Sequence, residues 1–301
     1  MGCAASQSDA IVKMTTWVAN LKTEPAKPAR LMKVPKNQQP LPLAASLIEK
    51  RNQIRQIIQR MFSIEINTPG WAYLRHTRGL IDAPISLIEN NASIFYVPHS
   101  VAELAVPDAE ITHVQLPAIA FVTELYSALQ QIYIDPETNQ KAFKAKVIKK
   151  TYGHVIIGED RSDTVLIQRC ELTATAFQFI AEGPETALSV ALAFGRLATV
   201  RCALGIGNIE KVHTSASTAI WCREKEHAGS GVTTETLERV RCGLRRHHEH
   251  VVEIYPPDDD GDFNDTHKRL PGICGSERII ECVREQFIRH GRRDIIQALN
   301  I

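Results

Sequence analysis

Excess charge is the first thing this sequence does without. Its 35 Lys and Arg against 34 Asp and Glu leave a formal net charge of +1. No bulk field therefore draws the chain to nucleic acid or to an anionic membrane, and any such affinity must be local. No apolar run approaches the ~20 residues that cross a bilayer, and the first residues carry no secretory pattern. The 7 cysteines, at 3, 170, 202, 222, 242, 274 and 282, include no C-x-x-C pair. That excludes a zinc ribbon by spacing. Their odd, patternless number suits buried free thiols in a reducing cytoplasm. There is no G-x-x-x-x-G-K-S/T, hence no phosphate loop of a fused helicase, and no internal repeat. A length of 301 residues suggests about two domains, and 44% apolar residues can fill a sizeable core.

What is present divides the chain. Residues 1–43 carry Pro25, Pro28, Pro35, Pro40 and Pro42 among several lysines, a composition that favours extended, poorly ordered backbone. The start, MGCAAS, formally fits a lipidation pattern through Gly2, Cys3 and Ser6, but the pattern is short and matches by chance. Ala44 to Arg60 places Leu47, Ile48, Ile54, Ile57 and Ile58 at helical spacing. A second helix runs from Trp71 to Arg78, capped by Thr68 before it and Gly79 after it. It carries Arg75 and Arg78, two candidate nucleic-acid contacts whose alternative is a solvated helix face.

From Ile111 to Ile157 the period changes to that of strands. IYID-PETNQ-KAFKAKVI reads as a hairpin. Its second strand carries Lys141, Lys144, Lys146, Lys149 and Lys150, interleaved with Phe143 and Tyr152. Lysines that neutralise phosphates beside aromatics on which bases stack suit a single-stranded nucleic-acid track. The alternative is a lysine-protected edge strand.

Strands and helices alternate from Ala176 onward, which implies a parallel sheet covered by helices. FQFIA ends in Glu182-Gly183-Pro184, and a helix follows. STAIWC runs into Glu224-Lys225-Glu226. His250 to Tyr255 runs into Pro256-Pro257 and then DDDGDFND, with Asp262 inside it. Three strands thus end in acids, at the sheet edge where ligands bind in open α/β folds. Converging carboxylates offer the oxygen ligands that a hard cation takes. His247-His248-Glu249-His250 reads as a solvated helix terminus. Ser276 to His290 forms an amphipathic helix, and a short helix follows from Arg293.

AEGPETALS resembles the EGxETALS motif of Toprim domains in phage- and plasmid-type DNA primases. In that family a strand ending in Asp-Asn-Asp-Ala-Ala-Gly follows, where this chain has Glu224-Lys225-Glu226-His227-Ala228-Gly229. A proline-rich turn into Asp-x-Asn-Asp comes next, matched by Asp262-Phe263-Asn264-Asp265. Upstream, Tyr73-Leu74-Arg75-His76-Thr77-Arg78-Gly79-Leu80 resembles the Tyr-Leu-x-x-x-Arg-Gly-Leu helix of the same primases. The likeness spans roughly residues 48 to 269 and rests chiefly on the order of these four motifs.

The resemblance implies an α/β fold, with a Toprim-type parallel sheet and flanking helices behind a helical and β-rich primase-like module. The divisions expected are 1–43, 44–172, 173–269 and a helical extension over 270–301. The activity implied is primer synthesis on single-stranded DNA from nucleoside triphosphates, with Mg²⁺ or Mn²⁺ and a separate helicase as partner. Glu182 would serve as general base or metal ligand. Glu224, Glu226 and Asp262 would hold the cation. Lys144, Lys146, Lys149, Lys150, Arg75 and Arg78 would hold template or triphosphate. Two alternatives stay open: a Toprim nuclease, and a non-catalytic module that binds DNA or a partner.

Overall fold

The computed structural model describes residues 45–104, 113–143, 145–153, 162–174, 176–225 and 231–301. The proline-rich segment 1–43, Lys144 and Glu226 lie outside the described residues.

A helix over Ala45–Ile58 (α1) comes first. Pro69–Ala72 (α2) follows, its first N–H groups met by Thr68, whose hydroxyl accepts from the Trp71 amide at 3.2 Å. Pro69 at the first helical position loses no bond there. The turn widens into a π-helix over Tyr73–Thr77, after which Gly79 takes φ +72°. A short helix, Ile85–Ile88 (α3), leads into four strands: Ile94–Glu103 (β1), His113–Val122 (β2), Ala128–Tyr133 (β3) and Lys149–Gly153 (β4). They form an antiparallel sheet in sequence order.

The expected hairpin is corrected here. Residues 141–148 form no ladder with β3; one isolated bridge joins Ile134, just past β3, to Lys141. The chain turns through buried Ala142 and Ala145, and β3 pairs instead with Lys149–Gly153. The alternation in KAFKAKVI is real, but it serves a loop whose two alanines pack inward.

The second sheet holds Val165–Gln168 (β5), Phe177–Ala181 (β6), Val200–Cys202 (β7), Thr218–Cys222 (β8) and His250–Ile254 (β9) in the order β5-β7-β6-β8-β9. The last four strands named are mutually parallel, as the alternation of strands and helices predicts. β5 joins antiparallel at the edge and makes the sheet mixed. The crossovers are Pro184–Phe194 (α4), Ile206–Ile209 (α5) and Thr234–His247 (α6), and the chain closes with Phe263–Arg269 (α7), Ile273–Arg289 (α8) and Arg293–Leu299 (α9).

The protein is thus mixed α/β, with helices on both faces of the mixed sheet. Alternation along each strand decides the sides. Ile180, Ala219 and Trp221 pack with Ile209, Val240 and Leu244 of α5 and α6. Phe177, Phe179 and Ile220 pack with Leu188 of α4 and Phe287 of α8. This second core continues into Ile119, Phe121 and Ile132 of the antiparallel sheet. Buried Cys170, Cys202 and Cys222 are free thiols, as expected. Among the described residues, no helix is long and apolar enough to cross a membrane.

Candidate active site

The site is built where β6 and β8 end. β6 stops at Ala181 because Pro184 cannot extend a ladder and instead opens α4. That leaves Glu182 and Gly183 as a two-residue bend on the carboxyl edge. The backbone of Glu182 is pinned there: its carbonyl accepts from the Gly205 amide at 3.1 Å and from the Cys202 thiol at 3.3 Å. Glu224 lies just beyond β8. Its Oε1 accepts from the Thr186 hydroxyl at 3.4 Å and sits 3.6 Å from where a Cβ on Gly183 would be. That is an ordinary contact distance, so the two loops lie side by side at this point.

The loop after β9 joins them through one backbone bond, from the Lys225 amide to the Gly261 carbonyl at 2.7 Å. The Lys225 ammonium reaches the Asp258 carbonyl. Of the acid-rich run that follows, most charges are spent locally. Asp258 pairs with Arg269 and Arg278, Asp260 with Arg269, and Asp265 with Lys268. Asp262 caps α7, accepting from the Asp265 amide at 2.8 Å in a capping box.

Glu182, Glu224 and Asp262 share one electrostatic neighbourhood. Burial, then Glu182, then Asp262 push the Glu224 carboxyl up to about 7, against the pull of Lys149. Burial pushes Asp262 above the usual carboxylate range as well, with Asp265 adding to it. The buried Cys202 thiol beneath, pushed up to about 12 by burial, feels Lys149, Glu182 and Glu224 together.

Beside these acids lies a residue that sequence reasoning passed over. Glu185 is 4% exposed on the first turn of α4. Its carboxylate takes Arg78 at 2.6 Å, Lys149 at 2.6 Å and Lys141 at 3.0 Å, and Tyr73 donates its hydroxyl at 2.5 Å. Burial alone would push this carboxyl up. Lys149, Arg78 and Lys141 override it and hold it well below the usual range. Burial likewise works against the Lys149 ammonium, and Glu185 reverses the outcome, raising it.

Arg78 is the hub of this network. Its Nε donates to the Tyr73 hydroxyl at 2.8 Å and its Nη1 to Asn264 Oδ1 at 3.3 Å. Asn264 Nδ2 donates back to the Arg78 carbonyl and to the Ser189 hydroxyl, each at 3.0 Å. Side chains from three distant stretches thus meet in one buried cluster: Tyr73 and Arg78, Glu185 and Ser189, and Asn264.

Glu182 and Asp262 therefore both act electrostatically on Glu224, as does Lys149, and Arg78 acts on Asp262. Other candidates stand elsewhere. Arg75 is held by Glu89 at 2.7 Å and by the Ile81 carbonyl. Lys146 is exposed, 3.6 Å from Glu103. Lys150 lies over the Tyr152 ring, 5.2 Å from its centroid. His248 departs from the solvated helix end expected of it. It is buried, its ring nitrogens against the Ala216 and Val212 carbonyls.

No family model matches the chain, and no curated protein matches it. What the site can do must come from its chemistry. Among the described residues, no three His, Cys, Asp or Glu side chains close into a ready metal cage. The donor set nevertheless suits a hard divalent ion. It offers only carboxylate oxygens, and the burial and carboxylate repulsion that raise Glu224 are what such an ion would offset.

Proposed function

We propose that this protein is a Toprim primase-like enzyme. It would act in the cytoplasm on single-stranded DNA and carry out divalent-cation-dependent nucleotidyl transfer in primer synthesis. The observation that carries this reading is the buried cluster joining Tyr73 and Arg78, Glu185 and Ser189, and Asn264. Motifs that resemble those of one family in sequence order meet in space, near carboxylates that follow parallel strands of the mixed sheet. Chance matches scattered along a chain have no reason to converge.

In this reading Glu182 takes the proton from the attacking hydroxyl, being the half-exposed acid at the strand end. Glu182, Glu224 and Asp262 would hold Mg²⁺ or Mn²⁺, with Glu226 the fourth acid of the motif. The ion supplies neutralisation of the charge that develops on the transferred phosphoryl group. Lys141 and Lys149, fixed by Glu185, add positive potential, and that of Lys149 acts on Glu224. The nucleoside triphosphate and the template are the two partners, and a helicase would be supplied separately.

The test is primer synthesis on single-stranded DNA with labelled ribonucleotides and Mg²⁺ or Mn²⁺. The wild-type chain should extend primers. Glu182→Gln should lose this by about a hundredfold or more while keeping its fold, since Gln preserves shape but takes no proton. Cleavage of the strand without synthesis would instead favour a nuclease, and equal activity in both proteins would remove Glu182 from the chemistry.

A further inference from the structure

Between β3 and β4 the chain runs in a loop that is tied down along its length. The Thr77 hydroxyl donates to the Asn139 carbonyl at 2.7 Å, the Ala142 amide to the Tyr133 carbonyl at 2.9 Å and the Lys146 amide to the Glu103 carbonyl at 2.7 Å. The Lys141 ammonium reaches Glu185 at 3.0 Å. Ala142 and Ala145 are buried, and between them Phe143 stands 70% exposed. It is the most exposed aromatic ring among the described residues. The anchors on either side hold its backbone, so burying the ring by a shift of the loop would mean breaking them.

A single exposed apolar residue is common, so its surroundings decide what it means. Lys141, Lys144, Lys146, Lys149 and Lys150 fall in this stretch, and no Asp or Glu stands between Glu137 and Glu159. Lys141 and Lys149 meet Glu185. Lys146 is exposed, and the Glu103 carboxylate 3.6 Å away makes a surface pair of little worth. Its ammonium is therefore open to another anion. A protein partner would want the reverse composition, since lysine is depleted at the centres of protein interfaces. Lysines around an outward aromatic ring suit a single nucleic-acid strand, whose bases stack and whose phosphates attract cations.

We propose that Phe143 is a stacking platform for one base of a single-stranded nucleic acid, with Lys146 on a neighbouring phosphate. The contact is indifferent to sequence, since every base has a π-face. A duplex does not make it, because its bases are already stacked on one another. Two residues of chain, at most about 7 Å, separate Phe143 from Lys141. The stacked base is thus held close to the cations that gather on Glu185. The inference rests on the single-strand partner of the proposed function and not on its chemistry.

The test is a titration of labelled oligo-dT, and of a DNA hairpin duplex, into the full-length protein and its Phe143→Ala, Phe143→Trp and Lys146→Ala variants. It is run at several salt concentrations, with melting temperatures taken in parallel. Phe143→Ala should weaken oligo-dT binding about tenfold. Its salt slope and melting temperature should stay at the wild-type values, because the ring is uncharged and exposed. Phe143→Trp should keep the affinity, and the emission of the added indole should be quenched by the oligomer. Lys146→Ala should flatten the slope by about 0.7. Duplex binding should be the same in Phe143→Ala and wild type. Two outcomes separate this contact from the enzyme. Binding of oligo-dT through Phe143 without primer synthesis leaves the contact standing and removes the enzyme. Primer synthesis with a Phe143→Ala protein that binds as well as wild type removes the contact alone. A wild-type protein that does not bind oligo-dT, or a loss in Phe143→Ala that is equal on duplex, would also overturn the proposal. So would self-association of the wild type that Phe143→Ala abolishes with oligo-dT binding intact.

Discussion

At the scale of single residues, Glu185 does the most for this structure and shows least in the sequence. Three cations and a tyrosine hydroxyl converge on it from the π-helix, the loop after β3, and β4. Removing one partner of a buried ion pair costs about 3–5 kcal/mol, because the other charge is left without compensation. Glu185→Gln should therefore lower stability at pH 7 by roughly 3 kcal/mol in urea denaturation. The acid profile adds a sign. Glu185 has its folded-state pKa held below the ordinary value of 4.5. Its stabilisation is complete above that value and is lost as pH falls below it. Buried His267 is pushed by burial from 6.5 to about 4, so the unfolded chain takes up its proton first and stability falls between those two values. Between pH 7 and 4.5 the histidine loss is opposed by Glu224, whose raised carboxyl takes up its proton first in the folded chain, so the loss below 4.5 is the stage that reports on Glu185. The glutamine variant should lack that stage. Identical acid limbs in the two proteins would remove Glu185 from its assigned place. Glu185 left one trace in the sequence: it sits in PETALSVALAF, a helix apolar on nearly every side. Such a helix is buried, and a carboxylate on it must have partners.

At the scale of elements, the parallel strands from Phe177 onward and the helices α4 and α6 follow the reading of period and breaker residues closely. The strands are short and apolar, α4 opens at Pro184 and α6 is amphipathic and capped by Thr233, so local signals suffice. The segment after β3 reads less well. Lys141 is drawn to Glu185 and Lys146 donates its amide to the Glu103 carbonyl at 2.7 Å. These tertiary partners leave no mark on local alternation. The same holds for β5, whose antiparallel place at the edge no feature of VLIQ encodes. The acidic edge was legible because its carboxylates each follow a strand. Which acids of DDDGDFND would join it was not, since that depends on where Arg269 and Arg278 fall. One glycine ties the elements together. Gly79 takes φ +72°, and a Cβ there would lie 2.0 Å from the His267 carbonyl oxygen, while its own carbonyl accepts from the Gly272 amide at 2.9 Å. Strain in that region costs about 1–3 kcal/mol, and the clash adds to it. Gly79→Ala should lower the urea midpoint sharply and expose the junction of the π-helix with α7 and α8 to hydrogen exchange. A variant as stable as wild type would show that this junction does not bear on the fold.

At the scale of the whole molecule, a chain of nearly balanced charge separates that charge locally. Carboxylates crowd the ends of β6, β8 and β9, with a carboxylate-centred cluster of cations beside them. The antiparallel and mixed sheets share one apolar core, so the cations that come from the first are held against the acids of the second. The central claim is that this acidic edge receives a divalent ion. It is tested most directly by calorimetric titration of Mn²⁺, and separately of Mg²⁺, into the full-length protein and its Glu182→Gln variant. The account predicts saturable binding at millimolar concentration or below in the wild type, and binding at least about tenfold weaker in the variant. A wild-type protein that takes up neither ion at millimolar concentration would contradict it.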